Sequence, residues 1–120
     1  MMGFVCVGAG GALGAMLRYG ISLIPYKGSF PVLTLITNVL GALAIGYIAG
    51  TAARRNVPGN LVLFLKTGVC GGFTTFSTFS LEACGLLGKA EYAAAFLYMA
   101  LSVVLCLAGV MLGMFAAENL

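Results

Sequence analysis

The chain is 120 residues long, 62% hydrophobic and only 8% charged, with a net charge of +3. Soluble domains carry about a quarter charged residues, so a water-soluble globule is excluded. His, Asp and Trp are absent. No Ser-His-Asp triad, His-ligated metal or carboxylate pair can be drawn, so the chain does not read as an enzyme. A small, scattered positive charge is no footprint for nucleic acid either.

A membrane-spanning helix needs about 20 mostly apolar residues, and backbone in lipid must satisfy its own hydrogen bonds. The punctuation of the sequence gives four such spans, residues 3–24, 32–50, 60–87 and 92–116, with short loops between them. The expected fold is an all-α membrane protein, a single four-helix transmembrane domain over residues 1–120. No Lys or Arg precedes the first apolar run, so it does not read as a secretory leader.

The first span is closed by Pro25-Tyr26-Lys27-Gly28-Ser29 and carries Arg18 near its far end. Such an arginine either snorkels to the headgroups or sets a positive charge at a vestibule that draws an anion. The second span carries Asn38 near its middle, with Thr34 one helical turn earlier on the same face. A buried amide needs partners, either as glue between helices or as a ligand contact.

The third span holds the strongest signal, Gly71-Gly72-Phe73-Thr74-Thr75-Phe76-Ser77-Thr78-Phe79-Ser80. Glycines and hydroxyls are poor material for a continuous helix. A break here frees carbonyls and amides at mid-bilayer, which is tolerated only where protein or water covers them. The alternative is a kinked helix whose hydroxyls bond back to the preceding turn. Phe76 and Phe79 share a face if that stretch is helical. Packing is their ordinary role, but a ring edge is electropositive and attracts an anion without trapping it. In the fourth span, Tyr98 and Ser102 lie four apart on one face and extend the polar line.

Cys6, Cys70, Cys84 and Cys106 all fall inside apolar spans and form no CxxC, so they read as small hydrophobes. Orientation is normally set by Lys and Arg in cytoplasmic loops. Here Arg54 and Arg55 on the side of the termini are opposed by Lys27 and Lys89, a near balance that allows both orientations and an antiparallel pair. Four Gly-xxx-Gly pairs, at Gly10, Gly46, Gly68 and Gly109, allow close helix approach in lipid.

Three stretches together resemble the Fluc, or CrcB, family of fluoride channels. They are Gly10-Gly11 through Arg18-Tyr19, Asn38 followed by Gly41, and Gly71 to Ser80. The resemblance covers nearly the whole chain. It implies an antiparallel dual-topology homodimer in the bacterial inner membrane, with a broken third helix and two pores that export fluoride passively. It also implies a structural Na⁺ at the dimer centre, held by the backbone carbonyls of Gly71 and Thr74 from both subunits. Along the fluoride pathway it implies Asn38, Phe76 and Phe79, then Ser77, Thr78 and Ser80, the Tyr98 and Ser102 track, and Arg18 near the vestibule. The partners implied are fluoride, a second copy and the bilayer. Two departures stand out. Gly41-Ala42-Leu43 replaces a more usual Gly-Ser-Phe, and Thr37 replaces an aliphatic residue before the asparagine.

Two other functions fit four short spans. A small multidrug exporter couples protons through a carboxylate in its first span, whereas the first acid in this chain is Glu82. A non-conducting assembly subunit has no need of the polar line just described.

Overall fold

The structure, a computed structural model, describes residues 1–120 and contains helices and no strands. Helix α1 covers Met2–Ser22 and α2 covers Val32–Arg54. The third span, Gly59–Gly88, is composite. It runs as α3 (Gly59–Val62), a π-helical stretch (Leu63–Cys70), α4 (Gly71–Phe73) and α5 (Phe76–Gly88). Helix α6 covers Tyr92–Asn119. The four spans have 21, 23, 30 and 28 residues. At 1.5 Å rise per residue even the shortest reaches about 30 Å, the thickness of the hydrocarbon core.

The ends differ from the sequence expectation in simple ways. Helix α2 continues past Gly50 to Arg54, because Thr51-Ala52-Ala53 are adequate helix formers and the turn waits for Pro58. Arg54 then donates through Nη1 to the Glu118 carbonyl at 2.6 Å and so caps the end of α6. Between α5 and α6 the chain turns through Ala90, which sits at φ 59° in the left-handed region.

The glycines explain how the spans pair. A Cβ on Gly10 would meet the backbone of Phe64 and Gly68, and one on Gly14 would meet Val69 and Phe73. Gly72 in turn lies against the backbone of Gly11. Helix α1 is thus held backbone to backbone against the first half of the third span. In the same way Gly46 lies on Val110, Gly109 on Ala42, and Gly113 on Leu43 and Tyr47, which joins α2 to α6. All four Gly-xxx-Gly pairs are therefore used inside the chain. They are not offered to a second copy, because the residues that meet them are this chain's own helices.

Only 17 of the 120 residues are buried, so most of the apolar surface needs cover from outside the chain. Phe4, Met16, Leu81, Phe96, Met111 and Phe115 are all exposed. In a bilayer such an exterior is at home. A small internal cluster of Ala83, Leu86, Ala95 and Tyr98 ties α5 to α6, with Phe30, Leu35 and Phe79 packed around it.

Candidate functional site

The site begins where the helical ladder of the third span is interrupted. Thr74 (φ −85°, ψ 156°) and Thr75 (φ −151°, ψ 119°) are extended. The Thr75 N–H would close the next helical turn on the Gly71 carbonyl. It donates instead to Asn38 Oδ1 at 2.8 Å. Asn38 Nδ2 donates back to the Thr75 carbonyl at 3.1 Å. One amide thus takes up the N–H that the break frees and adds a bond to the Thr75 carbonyl, as polar backbone at this depth requires. Gly41, nearly one turn further along α2, leaves room for the Thr74 methyl, which a Cβ at Gly41 would strike. The Thr74 hydroxyl donates to the Cys70 carbonyl at 2.8 Å. Thr75 Oγ1 caps α5 by accepting from the Thr78 N–H at 3.1 Å.

Beside this segment lies a cleft of about 390 Å³ between α2, α5 and α6. Asn38, Thr75, Phe76, Phe79 and Ser102 contribute to its wall, and no Lys, Arg or Glu does. The Phe76 and Phe79 rings lie 5.4 Å apart and tilted by 40°. Phe76 is 79% exposed in the single chain, whereas Phe79 is half-buried and sits 5.0 Å from the Tyr98 ring. Ser102 is only 8% exposed, and its hydroxyl has no hydrogen-bond partner within the chain.

Tyr98 is fully buried, and its hydroxyl donates to Glu82 Oε1 at 2.9 Å. Thr34 Oγ1 donates to Glu82 Oε2 at 3.0 Å. The carboxylate is held by two hydroxyls from two other spans, and no Lys or Arg is paired with it. Glu82 also faces a second cleft of about 360 Å³, where Ser22, Tyr26, Ser29 and Lys89 stand.

The residues singled out from the sequence do not all converge. Asn38, Thr74, Phe76, Phe79 and Ser102 meet at the first cleft, and Tyr98 abuts it through Phe79. Ser77, Thr78 and Ser80 line neither cleft. Ser77 and Thr78 share hydrogen bonds with Thr75 Oγ1, and the Ser80 hydroxyl donates to the Phe76 carbonyl at 2.9 Å. Arg18 donates through Nε to the Gly72 carbonyl at 3.1 Å, so this part of its guanidinium is engaged with backbone.

The sequence left Glu82 without a settled partner and read Cys106 as a small hydrophobe; neither was placed at a cleft. The signal for Glu82 was its place three residues after Phe79, on the same helical face; that for Cys106 was its place four after Ser102. No group of three or more His, Cys, Asp or Glu side chains exists.

Four helices long and apolar enough to cross a bilayer, three of which wall a cleft lined by amide, hydroxyl and aromatic groups, define a multi-pass membrane protein. Residues 5–114 match the family model described as CrcB-like protein, Camphor Resistance (CrcB), and the chain belongs to that family. It is 48% identical over 113 residues to the fluoride-specific ion channel FluC of Methylobacterium sp. (strain 4-46), covering 92% of this chain and 91% of the relative. The fluoride-specific ion channel FluC of Roseobacter denitrificans is 44% identical over 124 residues, covering 99% and 98%. That of Ruminiclostridium cellulolyticum is 44% identical over 127 residues, covering 100% and 95%.

Proposed function

We propose that the chain is a fluoride channel rather than an enzyme, and that it lets fluoride leave the cytoplasm passively. The observation that carries this reading is the first cleft. Phenylalanine edges, the second N–H of the Asn38 amide and the unpartnered Ser102 hydroxyl can stand in for an anion's water shell, and no fixed cation is there to trap it. Neutral HF crosses membranes and releases its proton inside, which leaves charged fluoride behind. An interior-negative potential then favours exit by about 2.3 kcal/mol per 100 mV. The relatives' names, fluoride-specific ion channel, support the choice of ion.

The working assembly in this reading is an antiparallel dual-topology homodimer with two pores. Exposed Phe76 and exposed Gly71 on the bare face of the third span support a second copy there. The backbone fits a central Na⁺. The interruption at Thr74 and Thr75 strips the Gly71 carbonyl of its usual partner, because Asn38 takes the Thr75 N–H. It does the same to Thr74, because the Thr78 N–H turns to Thr75 Oγ1. Arg18 covers the intervening Gly72 carbonyl. Gly71 and Thr74 of each subunit would supply hard oxygen ligands, and the ion would supply the positive charge that joins the interrupted spans.

Efflux of fluoride from liposomes carrying the purified protein, with chloride as control, tests the proposal. Fluoride release that ignores an imposed proton gradient is expected. Drug-dependent proton flux would point to an exporter instead, although Glu82, held by Thr34 and Tyr98, is far from the first-span carboxylate such a mechanism uses.

A further inference from the structure

We propose that Cys106 makes the first cleft a thiophilic site, at which a neutral two-coordinate mercuric compound binds and closes the conduction path; the closure rests on the channel reading above. Three observations converge. Cys106 is a free thiol, partly exposed, on the cleft wall. It lies four residues after Ser102 and eight after Tyr98, so it continues their line along one face of α6. Ser102, one turn away on the same wall, is more than nine-tenths buried and its oxygen has no partner. The wall thus carries a soft sulfur one helical turn from a hydroxyl that no group of the chain satisfies.

The wall is otherwise mostly apolar and lacks charge. A charged metal ion is penalised in such a place, whereas an uncharged mercuric halide is not. Soft metals prefer sulfur ligands. The step is a ligand exchange without redox change. The Cys106 S–H bond and one Hg–Cl bond break, an S–Hg bond forms, and a proton and a chloride leave to water. The bound S–Hg–Cl unit then projects into the space shared by Asn38, Phe76 and Phe79, where an anion would have to pass.

The other three cysteines give internal controls. Cys70 is 3% exposed and packed within the π-helical stretch, and Cys6 and Cys84 stand on α1 and α5, away from this cleft. The experiment uses the full chain in liposomes. Fluoride efflux is recorded before and after mercuric chloride, then after excess dithiothreitol. We expect wild-type efflux to fall to background and to recover with dithiothreitol. Cys106→Ser should conduct and be insensitive, while Cys6→Ser, Cys70→Ser and Cys84→Ser remain sensitive. Wild-type efflux that ignores the reagent, or Cys106→Ser blocked like the wild type, overturns the proposal. In parallel, the mercury adduct is mapped on wild-type protein by mass spectrometry, which needs neither conduction nor a folded variant. An adduct on Cys106 without any efflux keeps the site and sinks the channel reading. Adducts only on the other cysteines sink the site.

Discussion

Asn38 holds Thr75 by both ends of its amide, accepting from the Thr75 N–H at 2.8 Å and donating to the Thr75 carbonyl at 3.1 Å. The same side chain stands at the cleft wall. Its two roles are coupled, because the grip that fixes the extended backbone also fixes where the remaining amide hydrogen points. Asn38→Ala leaves the Thr75 N–H without its partner and removes the bond to the Thr75 carbonyl. The expected loss is about 2–4 kcal/mol of stability, together with loss of fluoride efflux. Asn38→Asp keeps the acceptor for Thr75 N–H but sets two oxygens facing each other at the carbonyl, and should lose efflux with part of the stability retained. Thermal unfolding in detergent and efflux on the same preparations check both.

Phe76 and Phe79 should separate stability from conduction. Each replaced by Ile keeps most of the bulk and loses the electropositive ring edge. Efflux should fall sharply in both variants. Phe79 also packs against Tyr98, so Phe79→Ile should cost about 1 kcal/mol more in stability than Phe76→Ile. Wild-type efflux in either variant refutes the aromatic role.

The backbone contacts of α1 predict a contrast within one helix. Gly14→Ala would drive a methyl against the Val69 carbonyl and to 2.7 Å from the Phe73 nitrogen, and no flexible side chain can yield there. A loss of about 1–3 kcal/mol is expected. Gly8→Ala meets nothing and should be neutral or slightly stabilising. Equal melting temperatures for the two variants would contradict the packing described.

Ala90 occupies left-handed backbone at φ 59°, where a Cβ is disfavoured. Ala90→Gly should therefore stabilise the α5–α6 turn by about 1 kcal/mol and leave efflux unchanged. A lower melting temperature for this variant would show that the turn is held some other way.

Much of the architecture was legible because lipid imposes simple rules. Four long apolar runs without a competing period can be little else than four spans, and Pro25, Pro58 and Gly88 mark their ends. The concentration of Gly and Thr from Gly71 to Thr75 ends in the extended pair Thr74-Thr75, because those residues weaken the helix that breaks there. What stayed hidden was pairing across the sequence. Nothing local to Glu82 says that its partners are Thr34 and Tyr98 rather than a lysine. Nothing local to Arg18 says that it serves the Gly72 carbonyl. Ser77, Thr78 and Ser80 share the motif of Phe76 and Phe79 yet spend their hydroxyls on nearby backbone and on Thr75, a choice made by rotamer and not by composition.

The glycine contacts join α1 to the third span and α2 to α6, so each of the first two helices meets its main partner only after another helix has been threaded in between. A ribosome-bound chain with two helices in the bilayer has neither interface available. Both must wait, loosely held in lipid, until the later helices emerge. Assembly is therefore an interleaving that closes late, and a chain cut before α6 would strand α2 with its glycine face open.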